Sequence, residues 1–326
     1  MRFALKRASR DSLESQVVLL GLLAVLLCLF LKIAVLDRAM VRAAGPVALG
    51  VYDPAQAFVT AEAVDIEHHF VTWRLNNTEE LVYALDQAVS RGRLPLITIE
   101  PWPWSWNGMT SQTLLKDVAS GKYDETAIAI FQVIQRYAPQ QIVLRWGHEM
   151  EIADQYPWSK VAAKNYVAAY RHIVDLARWQ GLDNVLWMWS PAGNHDAKAY
   201  WPGDDYVDQV GVSIYATKEW NLRSPEKLPS FAQLMRQKYW LAQRYNKPFV
   251  IAEVGVAGAE AEKEAWMQDA IASLPRFPRI QAWVYFNQRQ PDIVALDIGQ
   301  PQWQLSERDV QQLVDQWQQA YPKIAD

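Results

Sequence analysis

Gln141-Ile142-Val143-Leu144-Arg145-Trp146-Gly147-His148-Glu149 is a short, mostly apolar run that ends in a glycine, a histidine and a carboxylate. A stripe of apolar residues follows at Tyr166, Tyr170, Ile173 and Ala177, and then a second apolar run, Val185–Ser190. A near-continuous apolar run suits a strand covered on both faces. The three-to-four spacing between the runs is that of a helix with one buried face. A strand, a polar strand end, a helix and another strand together make the repeating unit of a parallel sheet.

The same unit recurs outward in both directions from Gly45-Pro46 onward. Its strand candidates are Val47–Tyr52, Phe70–Leu75, Leu94–Glu100, Gln141–Glu149, Val185–Ser190, Gln209–Tyr215, Pro248–Glu253 and Ile280–Asn287. Further helical stripes run through Leu81, Ala84, Leu85 and Ala88, through Ala127, Phe131, Ile134 and Tyr137, and through Trp266, Ala270 and Leu274. The last helix starts at Ser306 with Asp309 three residues on, as in a capping box, and carries Val310, Leu313, Val314 and Trp317. Eight such units in roughly 280 residues predict closure into an α/β fold of the (β/α)8 TIM-barrel type. A doubly wound open sheet is the alternative, and its Gly-rich phosphate loop is missing. No linker or low-complexity segment interrupts residues 47–322, so the barrel reads as one domain.

At 326 residues, the chain suits one large domain with a small appendage. The formal net charge is −4 and no basic cluster lies outside the N-terminus, which argues against a nucleic-acid partner. Sixteen tryptophans are far more than usual for this length. They can fill a large core, or stand as flat platforms for the apolar faces of sugar rings. The only cysteine, Cys28, lies in the apolar N-terminal run, so no intrachain disulfide can form.

That run, residues 17–36, is broken only by Lys32 and is about the 20 residues needed to cross a bilayer. Arg2, Lys6, Arg7 and Arg10 precede it, which favours a cytoplasmic tail over residues 1–16. A cleaved signal peptide competes, but the exit at Asp37-Arg38-Ala39-Met40 is charged rather than small. The expected arrangement is a single-pass transmembrane helix at 17–36, a linker at 37–46 and the barrel on the periplasmic or extracellular side.

Barrels of this type build their sites at the C-terminal strand ends. Here those ends carry Glu100-Pro101-Trp102, His148-Glu149, Trp189-Ser190, Ser213-Ile214-Tyr215, Glu253 and Asn287. Breaking a glycosidic bond needs one carboxyl to protonate the leaving oxygen and a second to meet the oxocarbenium-like carbon, about 5–5.5 Å away when configuration is retained. Glu149 and Glu253, on strands opposite one another, are the natural pair. Either glutamate alone equally suits a salt-bridged strand end. Trp102, Trp104 and Trp106 alternate in an irregular loop and read as sugar platforms, with core packing as the alternative for one or two. His148 has no second histidine at metal-site spacing, so neither metal nor other cofactor is expected. No Gly-x-Ser-x-Gly elbow occurs.

Arg145-Trp146-Gly147-His148-Glu149-Met150 resembles the strand-four acid/base motif of glycoside hydrolase family 26, in which a histidine precedes the catalytic glutamate. Tyr200–Asp208 running into Gly211-Val212-Ser213-Ile214-Tyr215 resembles that family's strand-six signature. Lys247–Gly255 resembles its nucleophile strand, and Ala282–Asn287 its eighth strand. The resemblance covers about residues 50–322. It implies a β-mannanase, lichenase or β-1,3-xylanase type of activity, with Glu149 as acid/base and Glu253 as nucleophile. It also implies Tyr215 hydrogen-bonding the nucleophile and His148 lining the subsite beside the scissile bond. Arg145, two and four residues along one strand from its neighbours, is expected on the face of Glu149. Glu100, Trp102 and Trp189 are expected sugar contacts. Trp146-Gly147 and the loop Glu151–Trp158 depart from the mannanase pattern.

The leading expectation is a retaining endo-β-glycanase acting on β-mannan or β-glucan. The alternatives are a polysaccharide-binding barrel without activity, or a glycan-processing, transglycosylating component of an exopolysaccharide secretion system. In the last case polysaccharide-synthesis machinery would be the partner beside the membrane. Sugar, linkage and endo or exo action depend on loop shape, which the sequence leaves open.

Overall fold

The computed structural model describes residues 47–73, 78–103, 113–221, 224, 226–290 and 300–323. The expected tail, membrane helix and linker, together with Trp104 and Trp106, lie outside them. Among the described residues no helix is long and apolar enough to cross a membrane.

Eight parallel strands close in sequence order into one barrel. They are β1 Ala48–Tyr52, β2 Val64–Thr72, β3 Leu94–Glu100, β4 Ile142–Trp146, β5 Val185–Trp189, β6 Gln209–Ala216, β7 Phe249–Val256 and β8 Ile280–Phe286. The helices among the described residues are α1 Thr78–Ser90, α2 Leu114–Ala119, α3 Asp124–Gln135, α4 Ala163–Trp179, α5 Phe231–Lys238, α6 Trp240–Arg244, α7 Glu260–Ser273 and α8 Glu307–Ala320.

The expected stripes are the buried ones. Leu81, Ala84, Leu85 and Ala88 are the buried residues of α1. Tyr166, Tyr170, Ile173 and Ala177 are all buried on α4. Each large apolar side chain removed from water in this layer contributes about 1.5–3 kcal/mol. The Ser306 hydroxyl caps α8 by accepting from the Asp309 amide (3.3 Å).

Three expectations are corrected. β2 begins at Val64, well before Phe70, and takes in His68 and His69, which therefore do not precede the strand. Alternation of polar and apolar residues hid this start, since only one face of that segment is apolar. β4 stops at Trp146, before Glu149. The strand–helix unit is also not repeated eight times. Turns alone join β1 to β2, and two 3₁₀ segments, His195–Tyr200 and Asp204–Tyr206, join β5 to β6.

Ile66, Leu96, Val143, Leu186, Met188, Val250, Ala252, Ala282 and Val284 fill the barrel interior as a separate apolar cluster. Above this plug, toward the C-terminal strand ends, the inward positions turn polar: His68, Thr98, Arg145, Ser190 and Ser213 are all buried. The site stands on this layer.

Candidate active site

Glu253 reaches the site through a break in strand alternation. On β7, Val250 and Ala252 belong to the barrel interior, whereas Ile251 and Val254 face the helix layer. Strict alternation would turn Glu253 outward with Ile251. Opposite β6, the register runs from Val212↔Ile251 to Ser213↔Glu253, so Ala252 is an extra residue, a β-bulge that re-aims the carboxylate inward.

Two groups then hold it. Arg145, fully buried, donates from Nη2 to Glu253 Oε1 (2.5 Å), and the Tyr215 hydroxyl donates to Oε2 (2.5 Å). Arg145 is itself aimed by Nε donating to Thr98 Oγ1 (2.6 Å). The imidazole Nε2 of His68 lies 2.8 Å from the same Thr98 hydroxyl. Burial and then the charge of Arg145 hold His68 well below the ordinary imidazole range. A neutral His68 next to Arg145 adds no second cation to compete for Glu253.

Glu149 is placed by different means. Beyond β4 the chain turns at Gly147 (φ +54) and again at Glu149 itself (φ +53). A left-handed backbone at a glutamate stores strain of order 1–3 kcal/mol and persists only where its surroundings fix it. The Glu149 amide donates to the Ser190 carbonyl (2.8 Å), tying the turn to the end of β5. Arg145 therefore does point at the site from within a strand, as expected. His148 and Glu149, however, arrive on a turn, and alternation is not what puts Glu149 there.

Although the charge of Arg145 and that of Lys238 reach the Glu149 carboxyl through space, among the described residues it makes no ion pair. Its Oε2 accepts from the Tyr156 hydroxyl (3.3 Å) and the Gln155 amide (3.3 Å). Burial, followed by the charge of Glu253, raises its pKa to about 7. The Tyr156 ring is stacked on Trp158 (4.6 Å between centroids), and Trp158 donates from Nε1 to the His148 carbonyl (2.8 Å). Burial and Arg145 also push His148 well below the usual imidazole range, so its 4.0 Å approach to Glu253 is not an ion pair.

Both glutamates open on one cleft of about 1020 Å³, also lined by Tyr52, Phe70, Glu100, His148, Ser213 and Tyr215. Tyr52 packs edge-on against Phe70 (4.8 Å) and tilted against Phe286 (4.9 Å), forming an aromatic wall. Glu100 ends β3 at that wall, where it accepts from Trp102 Nε1 (3.1 Å). Burial lifts its pKa to about 7 against the opposing effects of Trp102 and Arg145.

Of the site residues expected from sequence, Arg145, His148, Glu149, Tyr215, Glu253 and Glu100 are brought together. Trp102 and Trp189 are not on the cleft wall. Trp102 is 2% exposed and packs edge-on against Trp158 (5.5 Å), so it supports Glu100 and the tyrosine stack from behind. Trp189 faces outward from β5 and packs against Trp201 (5.1 Å) and Tyr245 (5.5 Å). Strand parity carries this correction, since Leu186 and Met188 take the inward face of β5. Tyr156, Gln155, Trp220, Trp303 and Phe286 were not singled out as site residues. Phe286 alone carried a signal, as the inward position at the end of β8.

A closed parallel barrel whose mouth holds one carboxyl paired with arginine and tyrosine, and a second raised to about 7 mainly by burial, is the kind of arrangement that glycoside cleavage requires. The comparisons agree. The model of Glycosyl hydrolase family 26 matches residues 104–287, and the chain belongs to that family. It is 30% identical over 242 residues to Endoglucanase H of Acetivibrio thermocellus, covering 70% of this chain and 25% of that protein. It is 33% identical over 94 residues to the mannan endo-1,4-β-mannosidase of Bacillus subtilis, covering 28% of this chain and 21% of that protein. The chain thus spans a quarter or less of the length of these two curated relatives. Among solved structures, the β-mannanase of this family from Bacteroides ovatus shares the fold at a TM-score of 0.63 and 14% identity, over 85% of this chain and 89% of that one.

Proposed function

We propose that this barrel hydrolyses internal bonds of a β-linked polysaccharide, a β-mannan or β-glucan, with retention of configuration. The observation that carries the reading is the asymmetry of the two carboxyls: Arg145 and Tyr215 bind Glu253, while Glu149 accepts from the neutral Tyr156 and Gln155 and is raised to about 7, chiefly by burial. Environments that separate two carboxyls in this way divide the roles of nucleophile and acid.

In the first half-reaction Glu253 attacks the anomeric carbon while the Glu149 proton passes to the glycosidic oxygen, and the leaving chain departs as an alcohol. Arg145 and Tyr215 hold the attacking carboxylate in place, one on each oxygen. Once Glu253 is esterified its charge is gone, and the influence that raised Glu149 weakens. The ionised Glu149 then takes a proton from water, whose oxygen attacks the same carbon and releases Glu253. Bond and proton counts return to the start, with one water consumed. Glu100 and His148 support the reading as hydroxyl contacts for the sugar at the reacting centre.

The test is proton NMR of the first product formed from β-mannan, lichenan, cellulose or curdlan. Retention is expected in whichever is cleaved, and an inverted first product would refute double displacement. Glu253→Gln should abolish cleavage while keeping glycan binding. Glu149→Ala should spare substrates with good leaving groups, and azide should then yield a glycosyl azide of retained configuration.

The apolar run at 17–36 supports a second proposal, that the barrel is tethered to a membrane on the non-cytoplasmic side. N-terminal sequencing of the mature protein tests it, and a start near residue 44 would refute an uncleaved anchor.

A further inference from the structure

Around Glu253 the cleft carries a run of aromatic rings: Tyr215, bonded to the carboxyl, then Phe286, Trp303 and Trp220. Trp303 is a fixed wall. It is buried, its ring lies 4.9 Å from that of Tyr215, and its Nε1 donates to Gln290 Oε1 (2.9 Å). Its carbonyl accepts from the Tyr285 hydroxyl (2.8 Å).

Trp220 leans on this wall with ring centroids 6.2 Å apart and an interplanar angle of 35°, yet it is 40% exposed. The other large apolar side chains this exposed among the described residues, Val59, Tyr83 and Trp179, do not line the cleft. The support under Trp220 is braced: Lys218 pairs with Glu262 of α7 (2.5 Å), and the Asn221 amide donates to the Lys227 carbonyl (2.8 Å). An indole that leans on a buried aromatic wall, lines a cleft and stays 40% exposed offers a flat apolar ligand a surface to stack on.

A second observation is independent of the first. Gln288, just past β8, also lines the cleft, and no donor among the described residues reaches its buried Oε1. A buried acceptor left unpaired is costly, and a ligand hydroxyl would satisfy it.

We propose that Trp220 and Gln288 form a sugar subsite on the nucleophile side of the cleft, beyond the residue that Glu253 attacks, for a pyranose of a β-linked chain. The ring stacks on the indole and one of its hydroxyls donates to Gln288 Oε1. The direction follows from the roles proposed for the two carboxyls: the acid stands beside the leaving chain, so the wall that runs from Glu253 through Tyr215 and Trp303 to Trp220 is assigned to the non-reducing part of the substrate. This rests on the reading of the cleft as a β-glycan hydrolase site and makes that site one that selects for chain length.

The experiment compares kcat/KM for oligosaccharides extended stepwise on the non-reducing side with that for a short aryl β-glycoside. Trp220→Ala should lower the ratio of long to short by about tenfold, mainly through KM, and Trp220→Tyr should recover part of the loss. Gln288→Ala should give a smaller loss with the same dependence on length. A loss independent of length, or no loss on the long substrates, overturns the subsite. Calorimetry of the same oligosaccharides with Glu253→Gln, with and without Trp220→Ala, separates this from the catalytic reading. Length-dependent binding that vanishes with Trp220 upholds the subsite even if no glycan is cleaved, and binding indifferent to Trp220 overturns it.

Discussion

Gly255→Ala tests how the fold aims Glu253, the proposed nucleophile. Gly255 lies two residues beyond Glu253 on β7, and an added Cβ would stand 2.6 Å from Cδ1 and 2.7 Å from Cε1 of Tyr215. Comfortable carbon contacts begin near about 3.5 Å, so the tyrosine ring must retreat by roughly 1 Å or rotate. Retreat on the other side is blocked, since the same Cβ would meet Trp303 at 3.2 Å and that indole is fixed from behind. The hydroxyl therefore leaves Glu253 Oε2, from which it now stands 2.5 Å away. A hydrogen bond to a charged group contributes about 1.5–3 kcal/mol, which corresponds to a loss of about 10- to 150-fold in kcat/KM. The assay is steady-state cleavage of a competent β-glycan by wild type, Gly255→Ala, Tyr215→Phe and the double variant, with thermal melts to exclude unfolding. If Gly255 acts by making room for Tyr215, the double variant loses little more than the worse single one. Full activity in Gly255→Ala, or losses that multiply in the double variant, would refute the reasoning.

In the proposed mechanism Glu149 begins protonated, and with its pKa raised to about 7, kcat/KM on natural glycan should fall as pH rises through that value. The fall should be absent for glycosides with leaving groups that need no proton, and a persisting alkaline limb on those substrates would point to another group. Trp189→Phe should lower stability by about 1–3 kcal/mol in denaturant melts with KM unchanged, as befits a side chain facing the helix layer. A raised KM at intact stability would return it to the sugar contacts. Glu67 lies between Arg91 (2.7 Å) and Arg93 (3.0 Å), and although burial pushes its pKa up, hydrogen bonds from His69, Arg91 and Arg93 hold it at about 2. Its folded pKa is depressed, so it contributes stability above the unfolded value near 4.5, lost as pH falls toward 2. The melting temperature of wild type should accordingly drop more steeply across that window than that of Glu67→Gln.

The sequence by itself determined the barrel and that Glu149 and Glu253 would meet at its mouth. Strands buried on both faces must be apolar throughout, and helices buried on one face must repeat every three to four residues, so both leave local marks. The stripes on α1, α4 and α8 were legible for that reason, and β3 was read to its terminal residues. Glu149 and Glu253 were legible because the C-terminal ends of barrel strands, and the residues just past them, converge on one mouth. The tertiary structure decided which way individual side chains turn. Glu253 faces the cleft through a bulge whose extra residue, Ala252, is defined only by pairing with β6. Glu149 arrives on a left-handed turn that the Ser190 carbonyl holds from another strand. Trp102 and Trp189 look like platforms in sequence because an indole suits sugar or core equally, and only their neighbours, Trp158 for one and Trp201 and Tyr245 for the other, separate the two uses. Tyr156, Trp220 and Trp303 come from loops without periodicity, where nothing local ties residue type to position. Their roles exist only as distances between segments far apart in the chain.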